Sequence, residues 1–337
     1  MSTINNDLES AICVSELPPK PRLEATRRVC QEKSWNGVQS ILTEQQRQRA
    51  KEILLACSSY QIMAVPLTDE RYPARLSETD APPPVLYAKG AMSGFCDNFP
   101  IAIVGARAAT VDACNRVSAI SETLATSDVC VVSGLALGVD GAAHRGALRC
   151  SSPGKTAAVV AHGLDMLYPA SHAQLSQRIL DSGGVIVSEY PPGTKPLKHH
   201  FLARNRIIAG LSQGVLVAEA GSRSGSLVTA QYALDAGRDV FALLAQDGCV
   251  QSAGCQNLIE DGAIPVSTAG AILREYDMKV VGGDRSNEEL RKVVIGLGSF
   301  MEITGVSFHE LLRLELDGII ERTAGNSVRV SAALVGM

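Results

Sequence analysis

The sequence predicts an α/β protein with a Rossmann-like, doubly wound, mostly parallel sheet. A small helical domain precedes the sheet, and a winged-helix-like domain follows it. Three observations predict this architecture. Six short runs rich in β-branched residues recur between residues 101 and 244, apolar on both faces as covered parallel strands must be. Helix-length segments separate them, the alternation that builds βαβ units. Glycines and capping residues mark the joints, such as Gly237 after the helical run Leu227–Ala236.

Taken in order, residues 1–62 read as short helices. Their apolar positions Leu23, Val29, Val38, Ile41, Leu42, Ile53, Leu54 and Leu55 lie among charges. A Pro-rich stretch follows, with Tyr72-Pro73 and then Pro82-Pro83-Pro84-Val85-Leu86-Tyr87. Its prolines are expected to force an extended path and to rule out a helix. The expected strands are IAIVG (101–105), VCVVS (129–133), TAAVVA (156–161), VIVSE (185–189), GVLVAE (214–219) and DVFALL (239–244). They place the Rossmann-like domain at 63–281. GGDRSN at 282–287 reads as a linker. The third domain, 286–337, is expected to run as helix, helix-turn-helix around Thr304-Gly305-Val306, and a hairpin turning near Gly325-Asn326.

Composition narrows the function. Of 337 residues, 46% are apolar and 20% charged, so the chain folds as globular domains. Aromatics amount to 4%, too few for a broad base-stacking platform, and a net charge of −4 confines any anion site to a local patch. The nine cysteines include no CxxC pair and no histidine at zinc-site spacing. No metal is therefore expected, and reduced thiols in a cytoplasmic protein are. The opening MSTINNDLES is polar and acidic, unlike a signal peptide, and no apolar run reaches the ~18 residues of a membrane helix. The expectation is a soluble cytoplasmic protein without a membrane partner.

In an open parallel sheet, ligands bind beyond the carboxyl ends of the strands. The first strand leads into Gly105-Ala106-Arg107, the second into Ser133-Gly134, and the fifth into a turn holding Ser224-Gly225-Ser226 just before a helix. Small residues let backbone N–H groups approach an anion, and a helix N-terminus adds its positive dipole end. Any one such turn is weak evidence, because tight βα turns need glycine anyway. Three on one edge are stronger. The fourth strand leads into Lys195-Pro-Leu-Lys-His-His-Phe-Leu-Ala-Arg-Asn-Arg206, which has no acid. A basic run is most often a solvated loop. Here Lys198, Arg204, Asn205 and Arg206 fall on the edge that carries the glycine turns, with Phe201 between them, which suits a polyanion.

Other chemistries fit less well. A dinucleotide site wants a carboxylate at the end of the second strand, where Ser133-Gly134 stands. Gly154-Lys155-Thr156 lacks the first glycine of a P-loop and leads into a strand, so neither ATP nor another cofactor is expected. His144 reads as a helix residue packed beneath the second turn, Asp140 as a helix cap, and Glu189 and Glu219 as strand ends that nothing pairs with a nucleophile or base. No catalytic constellation is present, and the chain is not expected to be an enzyme.

From Ile101 to about Ile264 the chain resembles the DNA-processing protein A family (DprA, also called Smf). The blocks are IAIVGAR, SGLALGVDGAAHRGAL, GKTAAVVAHGLDMLYPASHAQL, VIVSEYPPGTKP, RNRIIAGLS, SGSLVTAQYAL, GRDVFAL and GCQNLIEDGA, with RYPARL and PPPVLYAKG upstream. The resemblance implies a helical SAM-like domain, a Rossmann-like domain that forms a homodimer, and a winged helix. It also implies single-stranded DNA binding without sequence preference and loading of the RecA recombinase during natural transformation. By the same resemblance Arg107 contacts a phosphate, Arg204-Asn205-Arg206 form the Arg-Asn-Arg block, and Ser224-Gly225-Ser226 form the phosphate turn. Leu137 stands where the family has an arginine, Ala106 replaces a threonine, Leu202 a proline, and Leu244-Ala245 a Pro-Gly. The would-be recognition helix at 307–317 carries Glu310, Glu315 and Asp317 against Arg313, a balance suited to protein contact rather than a DNA groove.

Two rival readings stand beside this one. The first is a nucleotide-binding phosphoribohydrolase-like enzyme on a related fold. Such enzymes carry a glutamate in the helix after the phosphate turn, where this chain reads LVTAQYALDAG. The second is an interaction protein without DNA affinity.

Overall fold

The computed structural model describes residues 2–92, 99–244 and 252–281, and beyond them the short strands 294–296, 320–323 and 327–330. Contacts group the chain into two units, Met1–Val280 and Val281–Met337.

The first unit begins with helices α1 (Ser2–Ser15), α2 (Pro19–Glu32) and α3 (Glu44–Ser59). A capping box, Thr43 with Gln46, starts α3. Val29, Val38, Leu42 and Ile53 are buried as their spacing suggests, whereas Ile41 and Leu55 face solvent. Ala11 to Val14 and Trp35 are fully buried as well. They belong to the same apolar core as β1 (Met63–Pro66) and β2 (Val85–Gly90), on which α1 packs.

The proline stretch departs in one place from the extended path expected of it. Pro73 precedes a one-turn helix, α4 (Ala74–Ser77). Proline's fixed φ suits a helix start, where its missing N–H would have no partner anyway. Pro82–Pro84 lie in no helix, and the Pro84 carbonyl accepts from Leu67 N at 3.0 Å.

All six expected strands form: β3 (Phe99–Gly105), β4 (Val129–Ser133), β5 (Thr156–Val160), β6 (Val185–Ser188), β7 (Gly214–Ala218) and β8 (Asp239–Leu243). With β1, β2 and β9 (Ile264–Val266) they make a nine-stranded sheet in the order β1-β2-β6-β5-β4-β3-β7-β8-β9. From β6 to β9 every pairing is parallel, while β1 and β2 join antiparallel. The chain winds outward from β3 to β6, then returns to place β7 on the other side of β3. That reversal is the topological switch point, where the loops leaving β3 and β7 diverge and open a crevice.

Side chains alternate across the sheet as period two requires. Ile101, Ile103, Val129, Val131 and Leu216 face α5 (Val111–Thr126) and α6 (Val139–Ala147). Ala102, Val104, Cys130, Val132 and Val215 face the opposite core, which receives α7 (Ala173–Asp181), α8 (Lys198–Leu211) and α9 (Gly225–Asp235). Helices α10 (Ala253–Glu260) and α11 (Ala269–Glu275) complete the unit. Among the described residues, no helix is long and apolar enough to cross a membrane.

The second unit contributes an antiparallel sheet of β10 (Val294–Gly296), β12 (Ser327–Val330) and β11 (Ile320–Thr323), in that order. The linker, the expected helices of the winged-helix-like domain and its turn near Gly325-Asn326 lie outside the described residues.

Candidate nucleic-acid interface

The turn after β3 is held from two sides. Ala106 N donates to the Glu219 carbonyl at 3.0 Å, and Val139 N donates to the Ala106 carbonyl at 3.1 Å. Glu219, buried at the end of β7 with φ +49°, accepts from Thr110 N at 2.8 Å and from the Thr110 hydroxyl. That hydroxyl in turn caps α5. Gly105 is required here, because a Cβ would run into the Ala218 carbonyl oxygen. The outcome is a braced turn that sends Arg107 into solvent. Its guanidinium carbon lies 4.7 Å from the Phe201 ring centroid.

The turn after β4 is built differently. The Ser133 hydroxyl donates to the Ile103 carbonyl at 2.6 Å. Gly134 N and Ala136 N donate to the Asp140 carboxylate at 3.1 and 3.3 Å. Arg204 donates to the carbonyls of Gly134, at 2.8 Å, and Val159. Both charged partners are buried, Arg204 at 4% and Asp140 at 6% exposure. Burial lowers the Arg204 pKa to about 10, with Asp140 opposing that shift, and burial raises that of Asp140. Asp140 is therefore the tie of the second turn; the N-cap of α6 is Gly138. Behind this pair His144 is fully buried, with Nδ1 2.7 Å from the Thr156 hydroxyl. Burial first, then the neighbouring His172, Arg145 and Arg204, pull its pKa down to about 3.

The basic segment is a helix from Lys198 onward, not a loop. Helical spacing puts Lys198, Phe201, Leu202 and Asn205 on one side, toward the crevice. Asn205 Nδ2 donates to the Gly225 carbonyl at 3.1 Å and ties α8 to the start of α9. There Ser224 is the N-cap, its hydroxyl accepting from Ser226 N at 3.3 Å and lying 2.6 Å from the Ser226 hydroxyl. Arg206 points elsewhere: it pairs with Glu189, the residue after β6.

These elements enclose a cleft of about 450 Å³ at the switch point. It brings together Gly105, Arg107, Lys198, Arg204, Asn205, Ser224, Gly225 and Ser226. Ser133, Gly134 and Arg206 are not on its walls; the first two support the floor, and the third is paired with Glu189. Arg107 and Lys198 are exposed, and neither has an ion-pair partner among the described residues. A local positive rim therefore exists on a chain of negative net charge. Thr229 lines the cleft, and its buried hydroxyl has no hydrogen-bond partner.

Sequence reasoning missed Tyr168. Its ring lies 5.7 Å from that of Phe201 and belongs to the cleft wall. The available signal was an apolar Leu167-Tyr168 pair beyond the end of β5, and both residues are about half exposed. The tie between Glu219 and Thr110 spans 109 residues of chain, so no local pattern in the sequence announces it. Among the described residues, no cluster of side chains could hold a metal ion, and the cysteines are free thiols.

Comparison with known proteins shows the family. Residues 63–277 match the family described as DNA recombination-mediator protein A. The chain is 44% identical to Protein Smf of Escherichia coli K12 over 209 residues, 62% of this chain, and spans 55% of that relative's length. It is 33% identical to the DNA processing protein DprA of Bacillus subtilis over 276 residues, covering 81% of this chain and 92% of that one. The X-ray structure of Streptococcus pneumoniae DprA superposes with a TM-score of 0.67 at 33% identity, over 82% of this chain and 98% of that one. DprA of Helicobacter pylori, whose structure concerns its single-stranded DNA binding mode, gives a TM-score of 0.58 at 28% identity, over 65% and 98% of the two chains. With more than half of its 337 residues inside the family match, the chain belongs to the DNA recombination-mediator protein A family, a family of mediators and not of enzymes.

Proposed function

We propose that this cleft binds the backbone of single-stranded DNA, and that the protein protects such DNA and loads a RecA recombinase on it during natural transformation. One observation carries the reading. Arg107 and Lys198 stand exposed and without ion-pair partners on the rim, beside Phe201 and above the N-terminus of α9. Phosphates would lie on these cations and on the Ser224–Ser226 turn, where the helix dipole favours negative charge. The aromatic ring among cations suits a flexible single strand, whose bases can turn toward it. The reading also takes the Rossmann-like domain as the homodimer surface, so that two clefts act on one strand.

The test is fluorescence anisotropy with a labelled oligo-dT of about 30 nucleotides. It is run at two salt concentrations with a duplex of equal length as competitor. The expected result is salt-sensitive binding that the duplex displaces poorly, followed by faster recombinase filament assembly on the bound strand. No binding at low salt would overturn the proposal.

A further inference from the structure

A second cavity, of about 220 Å³, adjoins the cleft. It is lined by Val160 at the end of β5, Ile186 of β6 and Lys89 of β2, under the 162–168 segment and against α7. Its walls are largely apolar, with polar groups supplied by Lys89, His162, Asp165, Ser176 and Gln177. Tyr168 is shared: it lines both this cavity and the cleft.

We infer that this cavity receives a nucleobase of the strand whose phosphates occupy the neighbouring cleft, an inference that rests on the single-stranded DNA reading above. The size fits. A dry cavity of about 150 Å³ holds benzene, so this one accepts a single base while the sugar and phosphate stay outside. The chemistry of the walls fits as well. A base has apolar faces and a polar edge, which matches apolar walls with a few polar groups. Gln177 and Asp165 are already oriented, Gln177 Nε2 donating to Asp181 at 2.8 Å and Asp165 Oδ1 accepting from Gly193 N at 2.8 Å.

A path joins one site to the other. Arg107 lies 4.7 Å from the Phe201 centroid, Phe201 5.7 Å from Tyr168, and Tyr168 6.4 Å from the His162 ring at the cavity. A row of rings thus runs from the rim cation to the second cavity. A strand held at Arg107 can lay one base along this row and place a neighbouring one inside.

The experiment compares the full chain with two variants that block the cavity. Ser176→Leu fills it, and Gln177→Trp, on the exposed side of α7, covers its mouth. Each is titrated with oligo-dT and with an abasic oligonucleotide of the same length, and circular dichroism checks that it folds. The expected outcome is an affinity for oligo-dT lowered about tenfold, with affinity for the abasic strand unchanged. Folded variants that bind oligo-dT as the unmodified chain does would overturn the inference, as would equal losses for both oligonucleotides. Should Ser176→Leu not fold, Gln177→Trp decides alone. If the unmodified chain binds neither oligonucleotide, the single-stranded DNA reading falls too; if it binds oligo-dT and the variants match it, only the base cavity falls.

Discussion

Two turns leave neighbouring strands at the same edge of the sheet. The one after β3 is braced by Glu219 and Val139 and turns Arg107 outward. The one after β4 commits the N–H groups of Gly134 and Ala136 to Asp140 and the Gly134 carbonyl to Arg204. Both carry the glycine that permits close backbone approach, but only the first leaves a cation uncommitted. A glycine turn offers an anion site when its donors have no internal acceptor, and here a buried carboxylate has already taken them. The first turn therefore meets solvent chemistry, and the second holds the architecture that positions it.

The largest effect expected to separate the two regions is on stability. Arg204→Ala leaves the Asp140 carboxylate buried without its cation and two carbonyls without a donor. It should cost about 3–5 kcal/mol, read from urea unfolding. A loss below about 1 kcal/mol would show that the second turn does not depend on this arginine.

Acid should weaken the same region next. His144 has a folded pKa of about 3 against an ordinary 6.5. As pH falls through 6.5 the unfolded chain takes up a proton that the folded chain refuses until about pH 3. The stabilisation is thus complete above pH 6.5 and is lost between 6.5 and 3. About 2 kcal/mol should go between pH 6.5 and pH 5, and His144→Gln should flatten that part of the curve. Parallel curves for the two proteins would argue against a neutral buried histidine.

The rim should behave in the opposite way. Arg107→Ala is expected to leave stability within about 0.5 kcal/mol. Affinity for single-stranded DNA should fall about tenfold, and the log–log salt slope should drop by about 0.7 for the one phosphate lost. Arg206→Ala is the contrasting variant. It should leave that slope unchanged while destabilising the fold, because Glu189, whose side chain is 8% exposed, would lose its partner. A slope reduced by Arg206→Ala but not by Arg107→Ala would reverse the assignment of the two arginines.

The smallest effect concerns residue 137, which is 46% exposed on the second turn. Leu137→Arg adds a cation beside the rim. It is expected to raise affinity a few-fold and steepen the salt slope by about 0.7. Equal slopes would place residue 137 out of reach of the strand.

Much of the fold was legible because its signals are local. Six apolar runs bounded by glycines and caps became six strands, with ends shifted by two residues at most. The strands β1, β2 and β9 escaped notice, being short or embedded among prolines. Of the Lys195–Arg206 segment, the cations were visible and their directions were not. Arg204 and Arg206 are two residues apart, so a helix turns them to different sides, one beneath the cleft and one toward Glu189.

By itself the sequence determined the α/β class, the edge of the sheet at which the glycine turns gather, and the family. These follow from periodicity, from turn chemistry and from blocks of residues contiguous in the chain. Only the tertiary structure decided which charges are free. Arg204 with the Gly134 and Val159 carbonyls, Arg206 with Glu189, and Glu219 with Thr110 are joined across distances in the chain that no periodic pattern encodes. Desolvation and hydrogen bonding, which depend on where strands and helices finally lie, turned those residues into supports and left Arg107 and Lys198 to face solvent.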